Sequence, residues 1–432
     1  MHYIGIDIGT SSICGVAYNP ETKELSTAIR TNNSAIPSNR QDEKMQDPAK
    51  IMECVHAILE ELAKGCNTVA SIGITGQMHG ILYVDRNGKA ASPLFTWQDG
   101  RGNRRMAEGT TYAEHLTAAG GYQSATGYGL VTHFYNSRNN LVPRDACKIC
   151  TIMDYAAMQL TRRRTPLTDY SNGASLGFFN KKRLQFDLGA LSAAGIGCEI
   201  LPEIAPSATL AGYYKNIPVY SAIGDNQAAF IGSVRDRDTA VHITVGTSSQ
   251  ISVYSPGYLE IPTLDTRPLP GGGYIIAGAE LCGGYSFTIL KNFFAETARL
   301  IFGKNIPDDD IYAAMTSLPI PEESTLSVDT LFDGTRQNPE KRGQITGIST
   351  SNFLPQELIS GFVRGICDAL YHHYMHLPST LLKGRTHIVA SGNGFRKNPL
   401  LKQAFEKRFD LPVILSACTE EAAFGAAISP YL

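Results

Sequence analysis

The sequence predicts two mixed α/β domains, related by duplication, each opening on a strand hairpin and facing a cleft. Three observations carry this. Gly-Thr-Ser-Ser occurs twice, at Gly9–Ser12 and Gly246–Ser249, each time after an apolar alternation, Ile6-Asp7-Ile8 and Ile243-Thr244-Val245. Alternation is strand periodicity, and four identical residues in one context point to an internal repeat rather than to two ordinary turns. In both halves apolar strands empty into short polar clusters and helical patterns follow. The length, 432 residues, suits two domains of about 200. The boundary is placed just before Gly224, giving domains 1–223 and 224–432.

Taken in order, Met1 to Arg30 reads as three strands in meander. Asp47-Pro48 supplies N-cap and N1 residues for a helix that runs to Lys64 and stops at Gly65. Val69 to Thr75 is apolar throughout, as in a strand covered on both faces. Strands follow near Gly80–Val84 and Leu94–Thr96, then short helices near Tyr112–Ala119, His133–Leu141 and Asp154–Leu160, with a strand at Lys148–Met153. Val219–Ile223 is a strand ending in Gly224-Asp225-Asn226-Gln227, and the second hairpin starts near Thr239. Gly271-Gly272-Gly273 opens a strand to Ala279. Helices are expected over Ser286–Phe302, Pro355–Leu377, Pro399–Phe409 and Glu420–Ala427, with strands at Thr386–Ala390 and Pro412–Leu415.

Composition excludes several classes of function. The net charge of −2 gives no reason to expect nucleic acid or an anionic membrane as partner. No apolar run reaches the ~18 residues of a membrane span. The N-terminal residues lack a basic, cleavable leader, and nine scattered cysteines fit free thiols, so a cytoplasmic protein is expected. Cys147-Lys148-Ile149-Cys150 has no second pair and reads as structural thiols. His372, His373 and His376 lack the glutamate of a helical zinc motif and read as a solvated helix face.

The chemistry concentrates in four polar clusters at strand ends: Gly9–Ser12, Gln77–His79, Asp225–Gln227 and Gly392–Gly394. They lie about 70, 150 and 170 residues apart, so only a cleft can bring them together. Turns of Gly, Thr and Ser offer N–H groups at low steric cost, which suits phosphate. The single-loop nucleotide motifs of other folds are absent, so a phosphate reading needs two hairpins that hold a polyphosphate from both sides. Asp7, on an otherwise apolar strand, is costly to bury unpaired. It suits a hard cation such as Mg²⁺, and the second copy has Thr244 in its place. Asp225 reads as an N-cap, as a base for a substrate hydroxyl, or as both. Gln77, His79, Asp99 and Arg101, with Trp97 as an aromatic face, suit a polyol. Alternatively Trp97 is a core anchor and Asp99–Arg101 a surface ion pair.

In sum these motifs resemble the FGGY carbohydrate kinases, closest to the sedoheptulokinase group. Ile6–Ser12 is similar to the family's first phosphate motif and Gly246-Thr247-Ser248 to its second. Gly76-Gln77-Met78-His79-Gly80 is similar to a sugar motif, and Thr96-Trp97-Gln98-Asp99-Gly100-Arg101 to the sedoheptulokinase form of the next sugar loop. Gly224–Ala228 resembles the segment with the catalytic aspartate, Ser391–Gly394 with Asn398 the adenosine loop, and Glu421–Ala427 the closing helix. Asn393 stands where many members have glycine, and the chain is shorter than most relatives.

The resemblance implies two actin-like ATPase (ribonuclease H-like) domains around a central cleft, with the last helix packed back on the first domain. It implies an ATP-dependent kinase acting on the terminal hydroxyl of a ketose, most plainly sedoheptulose to sedoheptulose 7-phosphate. Asp225 would be the base. Asp7 and Asp225 would hold Mg²⁺. Gln77, Met78, His79, Trp97, Asp99 and Arg101 would bind the sugar. Gly9, Thr10, Ser11, Gly246, Thr247, Ser248, Gly392, Asn393, Gly394 and Asn398 would bind ATP. A xylulokinase or other ketose kinase, or a non-catalytic sugar- or nucleotide-sensing protein, is the alternative. A homodimer is allowed for.

Overall fold

The computed structural model describes residues 1–321, 325–335, 338 and 340–432. The chain forms two compact units. One comprises residues 1–232, 267–274 and 420–432, the other 233–266 and 275–419.

The first unit is built on strands β1 (His2–Ile8), β2 (Ser12–Tyr18) and β3 (Leu25–Thr31), helix α1 (Pro48–Lys64) and strand β4 (Val69–Gly76). Asp47 accepts a hydrogen bond from Ala49 N at 2.9 Å and caps α1, as its position before proline predicts. The buried stripe Ile51, Val55, Ile58 and Leu62 of α1 has helical spacing and covers one sheet face. Each such side chain contributes about 1.5–3 kcal/mol on burial. Helix α2 (Ile152–Thr161), strand β5 (Leu167–Asp169), helix α3 (Tyr170–Leu176), strands β6 (Leu210–Tyr214), β7 (Ile217–Tyr220) and β8 (Ile223–Gly224), and helix α4 (Asp225–Ser233) follow. The sheet order is β6-β7-β4-β1-β2-β3, with β8 pairing β4.

The other sheet face is closed by the last helix, Glu421–Ile428. Backbone approaches backbone there. A Cβ on Gly5 would lie 1.9 Å from Ala423 O, and one on Gly73 1.8 Å from Ala426 O. The same helix meets α4 through glycines: a Cβ on Gly232 would sit 2.0 Å from Glu421 O, and one on Gly425 1.8 Å from Ala228 O. This packing explains why the boundary falls after Gly232 rather than before Gly224. Asp225 and its helix are built into the first unit.

The second unit holds β9 (Ala240–Val245), β10 (Ser249–Ser255), β11 (Asp265–Pro268), β12 (Tyr274–Glu280), α5 (Gly284–Phe302), α6 (Pro355–Met375), β13 (His387–Ser391), α7 (Asn393–Lys397), α8 (Pro399–Phe409) and β14 (Val413–Leu415). Its sheet order is β11-β12-β10-β9-β13-β14. The tip of the β11–β12 hairpin, residues 267–274, clusters with the first unit.

The duplication is visible in the register. Asp7 pairs with Cys14 across the antiparallel hairpin and with Thr75 across the parallel neighbour. Thr244 pairs in the same way with Gln250 and Ser391. Two expectations are corrected locally. The strand at Lys148 ends at Cys150, because Thr151 caps α2 through Asp154 N. The helix expected from His133 to Leu141 spans Gly129–Arg138 instead.

Candidate active site

The first hairpin turn is held from behind by side chains remote in sequence. Asn32 Nδ2 donates to Gly9 O at 2.9 Å, and Gln46 Nε2 to Thr10 O at 2.8 Å. Thr10 Oγ1 accepts from Trp97 Nε1 at 3.0 Å and donates to Gln77 Oε1 at 3.3 Å. Gln77 Nε2 in turn reaches Gln46 Oε1 at 2.8 Å. The Thr10 hydroxyl is thus a bridge between the turn and the loop carrying Trp97, while Ser11 is exposed at the tip. Trp97 is 47% exposed, which rules out the core-anchor reading.

Asp7 and Asp225 emerge two strands apart. Asp7 pairs Thr75 on β4, Thr75 pairs Ile223 on β8, and Asp225 follows β8 directly. Two strand spacings are about 10 Å. Enclosure by protein, then the like charges of Asp225 and Glu420, push the Asp7 carboxyl up to about 7. Burial pushes Asp225 up to about 6, against the Asn226 backbone N–H and the Arg267 guanidinium, which favour the charged form. Asn226 Nδ2 donates to Asp225 Oδ1 at 2.9 Å and lies 3.6 Å from Met78 Sδ. Asp225 is the first residue of α4, so the positive end of the helix dipole also faces it.

Met78 is buried against Gly224. His79 is one of few non-glycine residues with positive φ, +72°, the kind of strain that concentrates at functional sites. Its ring stacks on Tyr128 with centroids 4.6 Å apart. Its Nδ1 lies 2.8 Å from Ser175 O. A carbonyl only accepts, so the proton is on Nδ1 and Nε2 is left as an acceptor in the neutral ring.

Asp99 and Arg101 do something else. Asp99 is fully buried and accepts from Lys44 N at 3.0 Å, Arg101 N at 3.2 Å, Arg101 Nε at 2.6 Å and Arg101 Nη2 at 3.1 Å. Arg101 also donates to Asn136 Oδ1 at 2.7 Å and lies 4.2 Å over the Phe95 ring. The pair is buried, not a surface ion pair. It holds the Trp97 loop from below. Replacing Arg101 by methionine strands the Asp99 charge, and urea unfolding should show a loss of about 3–5 kcal/mol. As the Trp97 loop loses its support, the sugar KM of the folded fraction should rise.

In the second unit, Thr247 and Ser248 are exposed at the turn. Its carbonyls are tied to the start of α5 by Gly283 N to Thr247 O and Gly284 N to Gly246 O, both 2.8 Å. Gly392, φ +85°, packs so closely that a Cβ would lie 2.5 Å from Val245 O, and Gly394 meets the same residue. Asn393 is exposed beside them. Asn398 caps α8 through Leu400 N at 3.1 Å. Thr244 Oγ1, Ser391 Oγ and His242 Nε2 form a neutral triad where the first copy has Asp7, with 2.7 Å and 2.9 Å contacts. Burial lowers His242 to about 4.

The residues present fit a nucleotide and a divalent cation. The buried Asn398 Nδ2 has no partner, so a donor is offered with nothing to satisfy it. Asp7 carries a raised carboxyl with only like charges acting on it. No group of three His, Cys, Asp or Glu could hold a metal among the described residues. Two carboxylates completed by water and phosphate oxygens is the Mg²⁺ pattern. His373 Nε2 pairs with Glu280 at 2.8 Å. Cys147 is exposed, Cys150 is buried, and both are free.

Sequence reasoning missed Glu420, Arg267, Tyr128, Gln46, Asn32 and the Gly283-Gly284 pair, and gave Asn226 no role of its own within the Asp225–Gln227 cluster. The glycine pair before an apolar helix was a usable signal. The others are single residues in unremarkable contexts.

The family model described as the FGGY family of carbohydrate kinases, N-terminal domain, matches residues 2–232. The chain is 28% identical to sedoheptulokinase of Mus musculus, over 98% of its own length and 96% of the relative's. The solved xylulose kinase from Rhodospirillum rubrum superposes with a TM-score of 0.83 at 21% identity, over 99% of this chain and 90% of that one. Plasmodium falciparum glycerol kinase with ADP gives 0.81 at 18% identity, over 99% and 88%. The fold is the actin-like ATPase (ribonuclease H-like) fold.

Proposed function

The chain belongs to the FGGY family of carbohydrate kinases, and on that premise we propose that it transfers the γ-phosphoryl group of ATP to the terminal hydroxyl of a ketose, with sedoheptulose as substrate and sedoheptulose 7-phosphate as product. The observation that carries the reading is the pair Asp7 and Asp225, two carboxylates raised by enclosure at the ends of β1 and β8, on either side of β4. The sedoheptulokinase relative and the Thr96–Arg101 loop support the choice of sugar.

Asp225 accepts the proton of the attacking hydroxyl as the new O–P bond forms and the bond to ADP breaks. A base with a pKa near 6 is well matched to neutral pH. Asn226 keeps its Oδ1 oriented. His79 Nε2 accepts from a sugar hydroxyl, and Met78 and Trp97 shape the apolar side. Asp7 and Asp225 would hold Mg²⁺, which neutralises phosphate charge when bound. The first unit carries the sugar and the metal-side phosphate turn. The second carries the nucleotide through Gly246–Ser248, Gly392–Gly394 and Asn398. Among the described residues no helix is long and apolar enough to cross a membrane. The nine scattered cysteines support a cytoplasmic setting.

The test is ADP release over sedoheptulose, xylulose, ribulose and fructose. Sedoheptulose should give the highest kcat/KM. A preference for xylulose would reassign the substrate within the class. Binding without turnover by any ketose would overturn the kinase reading in favour of a sensor.

A further inference from the structure

We infer that the buried segment Thr168-Asp169-Tyr170-Ser171-Asn172 is a positioning element that clamps the peptide groups leading into Asp225. The inference rests on the reading of Asp225 as the base. Three consecutive residues precede Asp225 without a break, Ala222, Ile223 and Gly224, and each is held by a different side chain. Asn172 Nδ2 donates to Ala222 O at 3.0 Å. Thr75 Oγ1 donates to Ile223 O at 2.8 Å. Ser171 Oγ accepts from Gly224 N at 2.8 Å.

The clamp is itself anchored. Ser171 Oγ donates to Asp169, whose Oδ1 also takes Ser171 N at 2.6 Å and whose other oxygen takes the Ser207 hydroxyl. Asn172 Nδ2 also reaches Asp154 Oδ1 at 3.3 Å, and Thr168 Oγ1 reaches Asp154 Oδ2 at 2.8 Å. Thr168 pairs with Ala222 as an isolated parallel bridge. Asp154, Thr168, Asp169 and Asn172 are 0% exposed and Ser171 is 1% exposed.

A helix cap alone does not account for this. Asp169 already caps α3 through Ser171 N, and Asn172 is not needed for it. Asn172 leaves its own Oδ1 buried without a partner, which costs stability. Two fully buried carboxylates cost more. An apolar filling of the same volume would be cheaper. What the polar network supplies that an apolar one would not is a fixed orientation for three peptide groups. Asp225 leaves the last of them. A displacement of about 1 Å at a reacting group can cost a factor of about 100 in rate.

The experiment compares Ser171→Ala and Asn172→Ala with the parent, measuring kcat per folded molecule, both KM values and the melting temperature. Each variant should lose between about 10-fold and 100-fold in kcat with both KM values within about threefold. Ser171→Thr, which keeps the hydroxyl, should recover most of the rate. Should either alanine variant fail to fold, Thr75→Val carries the same expectation through Ile223 O. A kcat within twofold of the parent in the folded variants, or kcat and both KM values moving together, overturns the clamp. Asp225→Asn runs alongside. If it keeps its rate, the base assignment has failed, and if it is inactive while the clamp variants are normal, only the clamp has failed.

Discussion

Asp225→Asn is expected to lower kcat by about a thousandfold, within the range that loss of a positioned general base gives. The substitution is close to isosteric. The Asn226 side chain that donates to Asp225 Oδ1 at 2.9 Å can still find an acceptor in the amide oxygen, and α4 keeps its glycine contacts with the closing helix. The fold and the sugar contacts at Met78 and His79 therefore stay in place, and KM for the ketose should change by only a few-fold. A loss of that size in kcat with little change in KM marks an interaction made in the transition state. ADP release at saturating sugar measures it, with the melting temperature as the control for folding. A rate near that of the parent would remove Asp225 from the mechanism.

How much of this was legible beforehand divides along physical lines. The hairpins, α1 and α8 were readable because their signals are local: alternation, Asp-Pro at one helix start, and Pro399 at the other. The position of the domain boundary was not. It depends on Gly232 meeting Glu421 and Gly425 meeting Ala228, contacts between segments nearly the whole second unit apart in sequence. The burial of Asp99 and Arg101 was hidden for the same reason. Spacing cannot say whether an Asp-x-Arg pair faces solvent, a ligand or the core. Phe95, Asn136 and the Lys44 backbone decide it, and only the fold brings them together. Glu420 and Arg267 reach the carboxylates of the site from chain segments that return to the first unit late. The Ser171–Asn172 clamp sits in a helix too short to leave a periodic signal. What the motifs did carry was the asymmetry of the two copies. Thr244 takes the register place of Asp7, so the negative charge belongs to one half of the repeat.

That asymmetry has a measurable consequence in the metal-free protein. Asp7 is held near 7 when folded, against 3.8 for a free side chain. Between those values the native state keeps a proton that the unfolded chain has released. Stability must therefore fall as pH rises through this window, and the loss is complete above the folded value. Asp225, raised to about 6, acts in the same direction, and the repulsion between the two belongs to the pair. The metal-free protein should melt higher at pH 5.5 than at pH 8, so far as this site is concerned. Asp7→Asn removes the penalty: at pH 8 its melting temperature should exceed the parent's by about 2–4 °C for each kcal/mol relieved, and at pH 5 the two should converge. Catalysis should be lost in the same variant. Mg²⁺ with nucleotide should stabilise the parent more at pH 8 than at pH 5.5, since at low pH the cation must displace protons, and Asp7→Asn should lose most of that difference. Scanning calorimetry over this pH series, with and without Mg²⁺, measures all of these terms. A variant that melts lower than the parent at pH 8 would show Asp7 to be a structural carboxylate rather than one kept at a cost for its cation.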